Sequence, residues 1–276
     1  MPDLLRAKKS WLKTVLGFGF HIFDLVAYEI LYRFSPVRKH LFFNGGYLPV
    51  DKKMLILDEM QDEAPNAMMY HIVCEPLLKD AKEYSTLLDV GCGQGGGLYY
   101  MAHIFKDTTF IGTERNGYAV KLAQKLCAAL PNVRAQKATG NRLDFPDAKF
   151  DAVLSVGAPT YFGLTKFVTE AARVTRIGGL ISFSGGYRQG DHAAIEQELR
   201  DACGTNLELL LYRNITPNTF ASLEADIPRR EKLLRKVPWP FRLYGEKWAD
   251  MPGSAEYDEY EKGLRADFMA VIRKRR

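Results

Sequence analysis

The chain has 276 residues, of which 47% are hydrophobic and 26% charged, and its net charge is +5. This length permits one large domain or two small ones, and the hydrophobic fraction excludes wholesale disorder. The cysteines are widely spaced and form no C-x-x-C pair, which argues against a zinc site or a disulfide framework and favours a reducing, cytoplasmic compartment. They are Cys74, Cys92, Cys127 and Cys203.

The positive charge is concentrated in three segments. Residues 1–40 carry +4, residues 229–247 carry +5 and residues 273–276 carry +4, so the rest of the chain has a net charge of about −8. Basic segments around an acidic core are typical of attraction to an anionic surface or substrate. Solvated faces that merely keep the protein soluble explain the pattern equally well.

The first predicted element is a helix over residues 11–34 that is apolar around most of its circumference. Asp24 and Glu29 interrupt the run, which argues against a signal peptide and makes a membrane span costly. A helix lying on a membrane surface, a cap over the substrate and a single anchor all stay open. We therefore assign residues 1–60 to an N-terminal cap or membrane-contact segment and residues 61–276 to the main domain.

Strands and helices alternate after this segment. Asn44 to Tyr47 form a turn signal, Pro65 to Ala81 a helix, and Thr86 to Val90 the first strand. The further predicted strands are Thr109–Thr113, Val133–Ala138, Phe150–Val156, Leu180–Ser184, Leu207–Tyr212 and Phe268–Arg273. The further predicted helices are Leu98–Phe105, Asn116–Leu130, Thr165–Thr175 (with a stop at Gly178-Gly179), His192–Cys203 and Ser222–Lys236. This order predicts an α/β fold with a seven-stranded, mostly parallel sheet and helices on both faces.

About 55 residues separate the last two strands, which is longer than an ordinary connection. The segment contains a predicted helix and the aromatic-basic run 238–242. We predict that residues 213–266 form a lid over the substrate.

The stretch from Thr86 to Gly97 carries the strongest functional signal. A buried strand ends at Asp89-Val90, a glycine-rich turn follows, and a helix begins after it. Such a turn lets a backbone approach a nucleotide closely, and the helix N-terminus favours an anion. Asp89 would repel a dinucleotide pyrophosphate, but its carboxylate suits an ammonium group. Glu114 ends the next strand, 21 residues after Gly93, where a carboxylate suits ribose hydroxyls.

The chain has an acid before the glycines and an acid at the end of the second strand. In this arrangement it resembles class I S-adenosylmethionine-dependent methyltransferases. Two further segments, 143–155 and 171–179, resemble the fourth-strand motif and the following motif of that family. The chain resembles one branch of that family in its triple glycine 95–97, in Asp62-Glu63 and in Tyr70-His71. This branch modifies lipids, polyketides and isoprenoids, and it includes phthiotriol and tocopherol methyltransferases. The resemblance spans about residues 65–185.

The resemblance implies S-adenosylmethionine as cofactor and a Rossmann-like methyltransferase fold. Asp89, Gly91 and Gly93 would line the methionine part, and Glu114 would hold the ribose. The full implied set of cofactor residues is Tyr70, Asp89, Gly91, Cys92, Gly93, Glu114, Arg115, Thr139, Gly140, Asn141 and Ser155. Thr139 stands where relatives carry an adenine-binding aspartate, so Thr139 or Asn141 would accept that hydrogen bond instead. No metal is predicted.

The substrate side departs from the family pattern. Many relatives carry a glutamate and then a histidine after the fourth strand, whereas this chain has Gly157 and, near the histidine position, Thr160. His71 is the leading candidate base for a hydroxyl acceptor, and a packed histidine is its alternative. Tyr161 could orient the acceptor or serve equally well in core or cap packing, and His192 could face the pocket or cap a helix. A carboxylate acceptor would need little base.

Two hypotheses about function follow. In the first, the chain methylates a hydrophobic small molecule, most readily on oxygen, taken from or near a membrane. In the second, it binds the cofactor without transferring methyl, in a regulatory role or another reaction. Nucleic acid is not the predicted partner, because Val156-Gly157-Ala158-Pro159 replaces the N-P-P-Y-type tetrapeptide of amino-methylating enzymes. The sequence predicts no oligomeric state.

Overall fold

The computed structural model describes residues 41–51, 54–78, 84–236 and 249–276. The helix predicted over 11–34 and the run 238–242 lie outside the described residues. Within the described parts, no helix is long and apolar enough to cross a membrane. The division of the chain at residue 60 stays a prediction.

In the described part of the chain, seven strands form one sheet, which confirms the predicted fold class. They are β1 Thr86–Val90, β2 Thr109–Glu114, β3 Val133–Lys137, β4 Phe150–Val156, β5 Thr175–Tyr187, β6 Leu207–Asn214 and β7 Ala266–Lys274. Their order is β3-β2-β1-β4-β5-β7-β6. β7 runs antiparallel to β5 and β6, and the other pairs are parallel. The strand order therefore reverses between β1 and β4, where such sheets open a crevice for ligands at their carboxyl ends.

The helices fill the connections. They are α1 Ala64–Leu78, α2 Gly96–Ile104, α3 Gly117–Leu126, α4 Pro159–Phe162, α5 Leu164–Val174, α6 His192–Cys203, α7 Thr216–Leu234 and α8 Ala255–Glu261. A short 3-10 helix, Asp58–Glu63, precedes α1. Asn116 caps α3 and Asp191 caps α6, each accepting backbone N–H bonds of the first turn.

The two faces of the sheet carry separate apolar cores because successive strand residues point to opposite sides. Leu87 packs with residues of α1, α2 and α3, whereas Leu88 packs with residues of α5 and α6. Both leucines are fully buried. The first-strand register thereby fixes where Asp89 lies: it pairs with Gly112 of β2 and Leu154 of β4, close to the carboxyl end of the sheet.

Two predicted element starts lie several residues too late. The helix predicted over Thr165–Thr175 is α5, Leu164–Val174, but β5 already begins at Thr175, five residues before the predicted Leu180 and ahead of Gly178-Gly179. Gly179 lies within β5, where a Cβ atom would come within 2.5 Å of the Asp151 carbonyl oxygen. The glycine therefore permits a close approach of two strands and does not stop a helix. α7 begins at Thr216, six residues before the predicted start, because Asn214 accepts a hydrogen bond from the Thr216 N–H.

The connection between β6 and β7 contains its own small apolar cluster. Leu223, Tyr257 and Tyr260 are buried there, with Phe220 and Ile227 packed against them. The Phe220 ring stacks on Tyr260 with centroids 5.1 Å apart. α7 and α8 therefore pack on each other as a small unit above the sheet edge.

Candidate active site

The glycine turn after β1 uses its glycines for different reasons. Gly91, Gly93 and Gly95 all have positive φ angles. A Cβ at Gly91 would lie 2.6 Å from Ala158, and one at Gly95 would lie 2.8 Å from Ala123, so those two allow close packing. At Gly93, with φ +54°, a Cβ would meet nothing within 4 Å. Gly93 therefore borders an open space at the carboxyl end of β1, as a ligand cradle requires.

Asp89 contributes a buried carboxylate to this space. The residue is fully buried, and its Oδ2 accepts a hydrogen bond of 3.4 Å from the Tyr70 hydroxyl. Its Oδ1 has no hydrogen-bond partner among the described residues. Burial raises the pKa of Asp89 to about 7; the Tyr70 hydrogen bond opposes the shift and the charge of Glu114 adds to it. A buried carboxylate with an unused oxygen suits a cationic ligand group.

Glu114 lies on the other side of the turn, at the end of β2. Its Oε2 accepts a 3.3 Å hydrogen bond from the Gly93 N–H, and its Oε1 accepts a 2.9 Å bond from the Asn116 N–H. The two acids predicted from the sequence thus flank the same glycine turn. Because both backbone bonds hold the carboxylate at the strand tip, its remaining lone pairs can accept from a ligand diol.

Tyr70 covers the start of α2. The Tyr70 residue is 5% exposed, and a Cβ at Gly97 would lie 2.0 Å from its ring. Gly97 is therefore required for this ring to lie against the helix. The Phe42 ring packs on the other side, with centroids 5.7 Å apart.

The segment predicted to face adenine forms a tight turn. The Thr139 carbonyl accepts a 3.1 Å hydrogen bond from the Arg142 N–H, and the side chains of Thr139 and Asn141 are exposed. Gly140 is buried under Phe162, whose ring would lie 2.4 Å from a Cβ there. Phe162 also lies near Gly91, so an aromatic ring joins the two predicted cofactor segments. Sequence reasoning did not assign Phe162, because its position at the end of α4, six residues after β4, carries no distinctive signal.

Other predicted cofactor residues occupy varied positions. Ser155 is fully buried, and its hydroxyl donates a 2.6 Å hydrogen bond to the Val90 carbonyl between the strands. Cys92 is buried against Gly112, and burial raises the pKa of its thiol well above the usual value. Arg115 is exposed. Their assignment to the cofactor stays a prediction.

The two predicted catalytic residues lie in different neighbourhoods. His71 is half-buried between α1 and α2, with its Nδ1 2.8 Å from the Tyr100 hydroxyl. Burial lowers the pKa of His71, although Glu75 and Asp51 oppose the shift. Tyr161 lies in α4, directly after β4, and is 76% exposed. His192 contacts the hydroxyls of Tyr212 and Thr216, at the junction of α6, β6 and α7.

Comparison with known proteins adds independent evidence. Residues 88–183 match the family model described as a methyltransferase domain. The chain is 29% identical over 243 residues to a fatty-acid O-methyltransferase of Mycolicibacterium smegmatis, covering 84% of each chain. It is 28% identical over 201 residues to a phthiotriol/phenolphthiotriol dimycocerosates methyltransferase of Mycobacterium ulcerans, covering 71% of each. The chain is an S-adenosylmethionine-dependent methyltransferase.

A solved structure agrees with this methyltransferase at the level of fold. It is a geranyl diphosphate C-methyltransferase from Streptomyces coelicolor A3(2), crystallised with S-adenosyl-L-homocysteine. The TM-score is 0.60 with 17% sequence identity, over 86% of this chain and 93% of the other. The predictions of family, fold class and cofactor are thereby confirmed.

The site residues of this methyltransferase fit the cofactor. The unpartnered Asp89 Oδ1 can receive its ammonium group, the open space at Gly93 can take its main body, and Glu114 can accept from its ribose hydroxyls. Asp89 and Glu114 were found in the sequence because each ends a strand beside the glycine turn. Glu63 and Asn44, whose contacts at the site are described below, gave only a family resemblance and a turn signal.

Proposed function

We propose that this methyltransferase transfers a methyl group to an oxygen of a hydrophobic small molecule, and that the oxygen belongs to a carboxylate. The observation that carries the proposal is the chemistry at the end of β4. Residues 156–159, Val-Gly-Ala-Pro, contain no ionisable side chain where the acceptor would lie. A carboxylate arrives already ionised and needs no base, whereas a hydroxyl must lose its proton during transfer.

The environment of His71 supports the same acceptor. Tyr100 is fully buried, and a buried hydroxyl hydrogen needs an acceptor. His71 Nδ1, at 2.8 Å, is in position to accept it. In the neutral ring the proton then sits on Nε2, which makes Nε2 a donor. A histidine in this tautomer is poorly prepared to take a proton from a substrate hydroxyl.

The named relatives support a lipid-like acceptor. One is a fatty-acid O-methyltransferase, and the other acts on phthiotriol dimycocerosates, according to their names. Both match most of this chain, 84% and 71% of it respectively. We extend from them only the class of acceptor: a long apolar molecule that presents an oxygen to the cofactor.

The chain's own residues would align the reactants and exclude water. S-adenosylmethionine supplies an electrophilic methyl group, so the protein mainly has to orient the acceptor. Asp89 and Glu114 would hold the two ends of the cofactor, and Phe162 would cover the crevice between Gly91 and Gly140. An apolar site raises the reactivity of a carboxylate by removing its hydration shell.

We further propose that the β6–β7 connection is the substrate lid. Its helix α7 packs directly on the turn at residues 45–48: Thr219 lies against Gly45, and Asn218 exchanges hydrogen bonds with the backbone of Leu48. The lid therefore meets residues 45–48 at the carboxyl side of the sheet, where an apolar acceptor would enter. Peripheral membrane contact through residues 11–34 stays a prediction about residues outside the described parts.

The experiment is a product analysis with matched acceptors. The full chain is incubated with S-adenosylmethionine and a fatty acid, the fatty alcohol of equal length, or the preformed methyl ester. Mass spectrometry should detect newly formed methyl ester, together with S-adenosylhomocysteine, only in the incubation with the acid. Methyl ether from the alcohol would overturn the carboxylate proposal. Cofactor binding without product from any acceptor, including a lipid extract, would favour the non-methylating alternative.

Substitution of His71 separates the two roles predicted for it. In His71→Gln the amide oxygen can still accept from Tyr100, but the side chain is not basic. With a carboxylate acceptor we expect kcat to stay within about threefold of the original value. A general base would instead contribute about 100- to 10,000-fold. Steady-state kinetics decide the matter, and Tyr100→Phe serves as the control for loss of the hydrogen bond alone.

A further inference from the structure

Residues 41–48, here called the strap, are fastened at one end to the start of α2. The Leu41 carbonyl accepts a 3.1 Å hydrogen bond from the Gly96 N–H, in the first turn of that helix. A Cβ at Gly96 would lie 2.2 Å from the same oxygen, so glycine is required for this approach. Both oxygens of Glu63 accept from the strap backbone: Oε2 lies 3.0 Å from the Leu41 and Phe42 nitrogens, and Oε1 lies 3.2 Å from Leu41.

The middle and far end of the strap are held by α1, and its middle lies close to the residue that follows β4. Asn44 and Asn66 bond reciprocally, since each side-chain amide donates to the other's carbonyl, at 3.1 and 2.8 Å. The Tyr47 N–H donates a 2.8 Å bond to the Pro65 carbonyl. A Cβ at Gly157, directly after β4, would lie 4.0 Å from the Asn44 Cβ. The middle of the strap therefore lies beside the carboxyl end of β4.

Together these anchors define the course of the strap. It runs from the helix that follows β1 to the residue that follows β4, and those two strands are neighbours in the sheet. It therefore crosses the point where the strand order reverses and where the crevice lies. Near the start of the strap, the Phe42 ring packs on Tyr70, whose hydroxyl reaches Asp89. The strap thus covers the methionine end of the cofactor site.

The β6–β7 connection adds a second layer over the strap. A Cβ at Gly46 would lie 2.2 Å from the Ser222 hydroxyl, so α7 rests on the strap backbone. Arg229 of the same helix lies 3.9 Å from Glu63. The residue that fastens the strap is thereby in contact with the proposed lid.

We propose that Glu63 is a positioning residue that keeps the strap closed over the bound cofactor and sets how fast the cofactor leaves. Glu63 is 6% exposed and its carboxylate accepts two strap N–H groups, so the strap lifts only when those bonds break. The inference depends on the cofactor site and not on the identity of the acceptor. It can therefore fail or succeed independently of the proposed function.

Dissociation of S-adenosylhomocysteine from the full chain tests the proposal. Labelled S-adenosylhomocysteine is bound, and its release is followed after a chase of unlabelled compound. We expect Glu63→Ala to release it about tenfold faster or more, since charge-assisted hydrogen bonds are lost. Glu63→Gln keeps one acceptor oxygen and should give an intermediate rate. Amide hydrogen exchange over residues 41–47 should accelerate in the same order.

Asp151 provides a matched control at the amino end of β4, away from the carboxyl ends where the crevice lies. Its carboxylate also accepts two backbone N–H groups, from Ser85 at 2.9 Å and Thr86 at 2.8 Å. Asp151→Ala should lower stability but leave release unchanged. If Glu63→Ala does not fold, Asn66→Ala frees the other end of the strap and should also speed release. An unchanged release rate in the folded variant, or equal acceleration in Asp151→Ala, would overturn the proposal.

Discussion

Gly93→Ala is expected to weaken cofactor binding at least about 100-fold while the protein stays folded. A methyl group at Gly93 meets nothing of the protein within 4 Å, so it projects into the space that the cofactor needs. The backbone φ of +54° costs alanine about 1–2 kcal/mol, which a folded domain of this size tolerates. Calorimetric titration with S-adenosylhomocysteine measures the loss of affinity.

Gly204 supplies the control for backbone strain. It follows α6 with φ +50°, and a Cβ there would likewise meet nothing within 4 Å. Gly204→Ala should therefore lower the melting temperature as much as Gly93→Ala while binding the cofactor normally. Equal cofactor affinity in the two variants would show that the space at Gly93 is not the cradle.

This contrast among glycines marks a limit of sequence reading. The glycine-rich turn was recognised from its place between a strand and a helix, because that order is local. Its members could not be distinguished, because Gly95 and Gly97 are required by contacts with Ala123 and Tyr70, distant in sequence. Only the folded chain separates a glycine that permits packing from one that leaves room for a ligand.

Some element boundaries could likewise be predicted from local sequence, whereas others depend on contacts that only the folded chain shows. β4 and α6 begin and end where predicted, since apolar periodicity and flanking turn residues coincide there. The start of β5 was misjudged because Gly178-Gly179 imitates a helix stop. The actual cause of a glycine at 179 is the Asp151 carbonyl of the neighbouring strand. Helix α8 was missed although Ser254 caps it, because the connection was interpreted as one lid.

The candidate site was predicted on its cofactor side and incompletely on its cover. Asp89 and Glu114 each end a strand beside the same turn, so spacing alone brought them together. Glu63 acts on Leu41 and Phe42, 21–22 residues earlier, and no periodic pattern connects them. The strap is held through hydrogen bonds of its backbone. Because nearly every residue type offers the same backbone groups, the sequence of the strap does not indicate these contacts.

Asp89→Asn is expected to change stability and cofactor binding in opposite directions. The pKa of Asp89, about 7, lies above its ordinary value of 3.8 because the carboxyl is buried. In the cofactor-free protein this group therefore contributes full stability below about pH 4 and loses it as the pH rises through 7. The loss is on the order of 4 kcal/mol. Asparagine carries no charge, so the cofactor-free variant should be the more stable one at pH 8.

Binding should show the reverse, because the ionised carboxylate is what attracts the cofactor's ammonium group. Below pH 7 the affinity of the unmodified protein should fall about tenfold per pH unit as Asp89 takes up a proton. Above about pH 8 it should fall again, since α-amino groups lose their proton near there. Asp89→Asn should bind far more weakly and lose the acid limb of this profile. Thermal unfolding with and without S-adenosylhomocysteine between pH 5.5 and 9 measures both effects. An asparagine variant with the original acid limb would place the titrating group elsewhere.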